Sequence, residues 1–338
     1  MTKKVLITGF TGMVGSHLAD FLLSETDWKI VGMIRWRSPL ENIAHLVPQI
    51  NRSERVFLEY GDLKDGISLE KVMEKVRPDI IFHLAAQSYP KTSFEAPLDT
   101  LDTNVQGTAR LLEAAKNNVP NAIIHICSSS EVFGRVAAEM LPISEDCTFH
   151  PASPYAISKV GTDLIGRFYA EAYGMCVMTT RMFTHTGPRR GDVFAESSFA
   201  KQIALIEAKK IAPTIYVGNL KSMRTIADVR DAVRAYYMLV TCNPIAGEYY
   251  NIGGSYSLEI GEVLDFLINL SPMSNEIKIK VSEQRLRPID ADLQVPNTSK
   301  FEEHTGWKPE IPFEKTMRDL LDYWRSRIAK EGEVFLQR

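Results

Sequence analysis

Tyr155 and Lys159 stand four residues apart, a spacing that projects both from one face of a helix. An ammonium beside a phenol favours the phenolate, and so draws tyrosine toward a range useful for exchanging a proton with a hydroxyl. A second motif with chemical meaning opens the chain. Gly9, Gly12 and Gly15 follow an apolar run and precede an amphipathic one. Glycines there let a phosphate approach the backbone closely, and the start of a helix offers it free N–H groups. Together the motifs point to a dinucleotide cofactor whose nicotinamide ribose Tyr155 and Lys159 can both reach. The glycine spacing is GxxGxxG rather than GxGxxG.

The end of the second strand-like run selects the form of that cofactor, because an acid there would accept hydrogen bonds from a ribose 2′-hydroxyl. The residues present are Arg35, Trp36 and Arg37, and guanidinium groups suit a 2′-phosphate, so NADP is expected. Asp62, after the third run, falls where this arrangement meets an adenine ring. The plainer alternatives are a solvated basic loop and an aspartate that only closes a turn.

These residues need a frame that carries position 9 to position 155. Apolar, β-branched runs at 5–8, 30–34, 55–59, 79–85, 122–127 and 176–181 alternate with helical stripes such as Val14, Leu18, Phe21 and Leu22. Repeated strand–helix–strand units predict a doubly wound α/β fold of Rossmann type. Its parallel sheet is covered on both faces, and ligands lie beyond the carboxyl ends of the strands. Past about residue 181 the pattern loosens. Two later stripes stand out, Ile260, Val263, Leu264 and Leu267, then Phe313, Met317, Leu320, Leu321 and Trp324. Residues 224–237 read as a helix returning to the first domain. The expected division is a cofactor domain (1–182 plus about 218–250), a smaller α/β substrate-binding domain (about 183–217 plus 251–328) and a loose tail (329–338).

Among 338 residues, 39 Lys and Arg face 42 Asp and Glu, a net charge of −3. That balance argues against broad nucleic-acid or membrane-surface binding, both of which need a basic excess. The apolar run after Lys4 is too short for a signal-peptide core or a membrane span. The four cysteines, Cys127, Cys147, Cys176 and Cys242, are scattered and suggest neither a metal site nor a disulfide framework. A cytoplasmic protein with reduced thiols and no metal is expected.

The glycine loop, the segment from His83 to Ser88, Asn104, Ser129-Ser130-Glu131 and the Tyr155/Lys159 pair together resemble extended short-chain dehydrogenase/reductases that act on nucleotide sugars. Over roughly residues 3–325 the chain is most similar to the GDP-mannose 4,6-dehydratases. The motifs are Ser129-Ser130-Glu131, Gly187-Pro188-Arg189-Arg190-Gly191, Gly218-Asn219-Leu220 and Leu286-Arg287-Pro288-Ile289-Asp290.

The resemblance implies a GDP-sugar 4,6-dehydratase, a lyase whose NADP is regenerated within each turnover. In it Tyr155, beside Lys159, takes the proton from the sugar O4, and Ser129 hydrogen-bonds O4. Glu131 removes the C5 proton and then helps O6 leave as water. The implied cofactor contacts are Gly9, Thr11, Gly12, Met13, Val14, Gly15, Arg35, Asp62, Leu63, Leu84, Ala85, Ala86, Tyr155 and Lys159. Arg189 and Arg190 join them from a loop that crosses to a neighbouring subunit in a homo-oligomer, a dimer or a tetramer. For the GDP-linked hexose or heptose, the resemblance assigns Arg224 and Arg287 to the diphosphate and Asp290 to the ribose. Lys201 falls near the base, and Ser88 and Thr184 join Ser129 and Glu131 as substrate contacts.

Three residues depart from the family pattern. Ser129 replaces a threonine, keeping the hydroxyl but changing its rotamer freedom. Trp36 replaces an arginine, and Thr184 stands where an asparagine usually lies near the sugar. The last change leaves GDP-manno-heptose as compatible as GDP-mannose. Rival readings stay open: an NADPH-dependent reductase of GDP-4-keto-6-deoxy sugars, a C4 epimerase that needs no C5 base, and an NADP-binding protein without catalysis. His83, His125 and His185 are expected to be structural.

Overall fold

A computed structural model describes residues 2–331. Six strands form where β-branched and apolar residues run together: β1 (Lys4–Thr8), β2 (Lys29–Ile34), β3 (Val56–Tyr60), β4 (Ile80–His83), β5 (Ile123–Cys127) and β6 (Val177–Met182). They match the expected runs to within two residues at either end. Seven shorter or later strands follow: β7 (His185–Thr186), β8 (Thr214–Val217), β9 (Met223–Asp228), β10 (Tyr249–Ile252), β11 (Tyr256–Glu259), β12 (Lys278–Val281) and β13 (Leu293–Gln294).

One parallel sheet takes seven of them in the order β10-β6-β5-β4-β1-β2-β3. The winding reverses between β1 and β4, the switch point where a crevice opens at the strand ends. Successive strand residues face opposite sides, so Val5 and Ile7 join one core while Leu6 joins the other. The first core also holds Leu18, Leu22, Tyr236 and Tyr250; the second holds Leu69, Leu111, Ile126 and Tyr169.

Residues 224–237 do not make one helix. β9 is held as strand by pairing with β7, β11 and β13. The helix Val229–Thr241 begins only where the Asp228 carboxylate caps it, accepting from Arg230 N at 2.8 Å. That helix does pack beside Leu18 and Leu22 in the sheet's first core.

A third core joins helices Ala195–Glu207, Ile260–Asn269 and Phe313–Glu331 through Phe199, Ile203, Leu264, Leu267, Leu320 and Leu321. Both late amphipathic stripes are found there. The last helix runs on through Glu331, where a tail was expected; the rest of that tail lies outside the described residues.

Three of the chain passes that link the sheet to this third core run side by side. Phe183 N donates to Ile252 O at 2.8 Å, and Ala227 N donates to Thr184 O at 2.9 Å. Gly254 lies so close to Ile226 O that any side chain there would strike it. All four cysteines are free. Among the described residues no helix is long and apolar enough to cross a membrane.

Candidate active site

β1 and β4 end side by side at the switch point, and Thr8 ties their ends. Its hydroxyl accepts from Leu84 N at 3.1 Å and from Ala85 N at 3.0 Å, and lies 2.9 Å from His83 Nδ1. Gly9 follows at φ +69°, and a Cβ on it would sit 2.9 Å from Ala85 N. The glycine loop and residues 84–86 therefore share one wall. A Cβ on Gly15 would run into the Gly9 carbonyl, so its absence lets the helix Met13–Glu25 start directly beneath the turn. That helix has no acid in its first turn and no side-chain cap. Its first N–H groups are thus left for an anion.

Thr11 is half-buried, its carbonyl accepting from Asn42 Nδ2 at 3.0 Å, and Val14 is half-buried beside the buried Met13. Arg35, Trp36 and Arg37 follow β2 in the open. Asp62 closes its own turn by accepting from Lys64 N at 3.0 Å, while Leu63 is buried against Gly107. A tight turn, an uncapped helix start and a basic strand end together fit a dinucleotide carrying an extra phosphate.

The helix Pro154–Tyr173 begins at Ser153, whose hydroxyl accepts from Ala156 N at 3.0 Å, with proline suiting the first helical position. This start places Tyr155 in the first turn and Lys159 one turn on, both buried. At the end of β5, Ser129 caps the short helical turn Ser130–Phe133, its Oγ accepting from Glu131 N at 3.2 Å. The Ser129 hydroxyl also faces the Tyr155 phenol and draws its pKa down.

The electrostatics differ from the expectation. Lys159 Nζ donates to Cys127 O at 2.7 Å and lies 6.0 Å from the centre of the Tyr155 ring, so its ammonium faces a carbonyl. Burial pushes the Tyr155 phenol above its ordinary range; Ser129 and Arg190 pull it down, while Cys127 and Glu131 raise it. Burial also lowers Lys159 from the usual lysine value. The three histidines behave as structural groups. Burial first, then nearby cations, pushes His83 down to about 3 and His185 down to about 4. His125, driven by burial and then by His83 and Lys159, falls to about 3.

On the opposite wall, charges of alternating sign form a row. Arg287 Nη1 lies 3.8 Å from Glu131 Oε1 and 3.4 Å from Asp290 Oδ1, and Arg224 Nη2 lies 3.3 Å from that same Asp290 oxygen. The other Asp290 oxygen accepts from Ser222 Oγ at 3.1 Å and Asn219 Nδ2 at 3.4 Å. Ser88 is exposed, beside a Gln87 whose N–H donates to Asn104 Oδ1 at 2.8 Å. Thr184 is half-buried.

Lys201 stands apart from that row. It is buried on the helix Ala195–Glu207, 2.7 Å from Asp192 and 5.6 Å from the centre of a Trp324 ring. The paired arginines diverge. Arg189, at φ +69°, reaches Asp20 on the first helix at 2.7 Å. Arg190 lies 3.2 Å from Glu196 Oε1, with its guanidinium 3.4 Å from the centre of the Phe194 ring. In this single chain both arms fold onto the chain's own helices. Asp20 and Ser222 went unmarked in the sequence, because partners so distant along the chain leave no spacing signal; Glu196, six residues from Arg190, shows no helical or strand spacing to it.

Known proteins resemble this chain in sequence and in fold. The family described as GDP-mannose 4,6 dehydratase matches residues 6–320. A GDP-mannose 4,6-dehydratase of Yersinia enterocolitica is 32% identical, covering 94% of this chain and 93% of its own. A GDP-6-deoxy-D-mannose reductase of Pseudomonas aeruginosa is 31% identical, covering 98% of this chain and 100% of its own. Among solved structures, the RMD protein of Pseudomonas aeruginosa complexed with NADPH superposes with a TM-score of 0.81. It is 29% identical and covers 96% of this chain and 100% of that one. With its parallel sheet, its glycine turn and its buried Tyr155 and Lys159, this chain belongs to the GDP-mannose 4,6-dehydratase family.

Proposed function

We propose that this chain is an NADP-dependent GDP-sugar 4,6-dehydratase that converts a GDP-mannose-type sugar to its 4-keto-6-deoxy derivative. One observation carries the reading: Glu131 follows Ser129 in the short helical turn at the end of β5, with Arg287 facing its carboxylate. A phenol alone serves oxidation, whereas loss of water needs a second acid–base group next to it.

NADP, when bound, would accept hydride from C4 and return it at C6. Gly9, Thr11, Gly12, Met13, Val14 and Gly15 would hold its diphosphate and Arg35 its extra phosphate. Asp62 and Leu63 would meet the adenine end, and Leu84, Ala85, Ala86, Tyr155 and Lys159 the nicotinamide ribose; Arg189 and Arg190 would complete the site. Tyr155 takes the O4 proton while Ser129 orients that oxygen. The resulting ketone acidifies the C5 proton, which Glu131 removes, and the same carboxyl then delivers a proton to O6 as it departs in water. Arg224 and Arg287 clasp the diphosphate with charge-assisted hydrogen bonds, and Asp290 faces the ribose. Lys201 serves the base end; Ser88 and Thr184 border the sugar, and Thr184 leaves room for a heptose as well as mannose. In this reading residues 1–182 plus about 218–250 form the cofactor domain, and about 183–217 plus 251–328 form the substrate domain.

A homo-oligomer, a dimer or tetramer, is supported by an apolar stripe on the helix Pro154–Tyr173. There Ile157, Leu164 and Phe168 are exposed in one line. A reducing, cytoplasmic setting belongs to the same reading, supported by the scattered spacing of the four cysteines.

The reductase is the second reading, favoured by the Pseudomonas relative that matches over its whole length. Mass spectrometry of GDP-mannose and of GDP-manno-heptose, each incubated with the protein and catalytic NADP, tests both. Loss of one water from either is expected and identifies the sugar. Intact substrates, with NADPH consumed by a 4-keto sugar instead, would replace the dehydratase by the reductase, and an isomer of unchanged mass would indicate an epimerase.

A further inference from the structure

The ionic row along the substrate wall is fixed at one end and loose at the other. Asp290 is held by Ser222 at 3.1 Å, Asn219 at 3.4 Å, Arg224 at 3.3 Å and the Ala291 N–H at 3.1 Å. The Glu131 carboxylate has one ion-pair partner among the described residues, Arg287, at 3.8 Å. Both of these side chains are only partly covered, at 26% exposure for Arg287 and 16% for Glu131. Arg287 thus stands between a well-anchored carboxylate and a weakly held one.

We infer that Arg287 is a substrate-operated catch on Glu131, holding its carboxylate in the free enzyme and giving it up when a nucleoside diphosphate arrives. The inference rests on the dehydratase reading above. A diphosphate carries more negative charge than a carboxylate and offers paired acceptor oxygens, so it competes well for a guanidinium. The competition is decided at the loose end, because Asp290 keeps its hydroxyl, amide and Arg224 contacts whichever way Arg287 turns. Once Arg287 has moved, Glu131 faces the sugar with no cation beside it, which is the state a general base requires. Proton removal from C5 is thereby tied to occupation of the diphosphate site. Arg287 is a positioning residue in this scheme, acting through Glu131.

The test is a double-mutant cycle read by calorimetric titration of GDP into the NADP-loaded protein, using wild type, Glu131→Gln, Arg287→Met and the pair combined. Breaking the catch removes a cost of binding. Glu131→Gln should therefore bind GDP about twofold to fivefold more tightly than wild type, the scale of a partly exposed ion pair. That gain should vanish in the Arg287→Met background. Equal gains in both backgrounds would mean simple repulsion between Glu131 and the diphosphate, and no gain in wild type would mean that Arg287 does not restrain Glu131. Either result overturns the catch. GDP that binds none of the four forms would overturn the nucleotide reading and the catch together. Turnover of Glu131→Gln, assayed separately, tests the base assignment independently of these affinities.

Discussion

Around the glycine loop, polar side chains are tied to backbone: Thr8 accepts from Leu84 and Ala85, Ser153 from Ala156, and Lys159 donates to Cys127 O. Around Asp290 they are tied largely to each other as charges, in the row Glu131, Arg287, Asp290 and Arg224. The first wall is buried and its bonds cannot be exchanged without disturbing the sheet. The second is partly open to solvent, and its ion pairs can be traded for those of a charged ligand at little cost. A cofactor retained through the catalytic cycle suits the first wall; a substrate that comes and goes suits the second.

Tyr155 stands where the walls meet, and its loss should have the largest effect. Tyr155→Phe removes the hydroxyl proposed to move the O4 proton, and turnover should drop by about 10²- to 10⁴-fold. NADP binding, followed by fluorescence titration, should weaken far less than turnover, since one ribose contact is lost while the glycine loop is untouched. A nearly normal rate would remove Tyr155 from the chemistry.

Acid should loosen the backbone-tied wall. His83, 2.9 Å from Thr8 Oγ1 and 3.0 Å from Thr108 Oγ1, is kept neutral down to about 3 by burial, as is His125. Unfolded histidine titrates near about 6.5, so between these values the unfolded chain takes up protons that the folded chain refuses. The stability they contribute is complete above about pH 6.5 and is lost progressively as pH falls toward 3, by at most about 1.4 kcal/mol per pH unit for each histidine. Thermal melts from pH 7 to pH 5 should show this decline; flat melting temperatures would mean that the two rings are protonated in the folded state.

A paired substitution sharpens the contrast further. Gly15→Ala sets a Cβ against the Gly9 carbonyl and should cost about 1–3 kcal/mol of stability together with NADP affinity. Asp290→Asn, on the ionic wall, should shift stability by less than about 1 kcal/mol. Comparable losses in denaturant titrations would erase the distinction between the two walls.

The cofactor wall was largely legible in sequence because its signals are local. Glycines at 9, 12 and 15, a β-branched run before them and a tyrosine four residues before a lysine all act within one or two turns of chain. The seventh strand of the sheet was missed, since Tyr249–Ile252 contains Asn251, a polar residue that is fully buried only because its N–H and side chain find Glu145 and Ile143. β9 reads as helix in the sequence because its pairing partners lie elsewhere in the chain. The substrate wall was legible only through family likeness. Nothing about the spacing of Glu131 and Arg287 announces that they meet, and the same holds for Arg189 and Asp20.

Three of the chain passes between the sheet and the third core are bonded to each other, through Phe183 to Ile252 and Ala227 to Thr184, with Gly254 pressed against Ile226. A lone linker would behave as a ball joint. Three plies strapped edge to edge behave as a leaf spring, stiff within their own plane and yielding about one axis. Any opening between the sheet and the third core must therefore bend these plies together, since none can swing free of its neighbours.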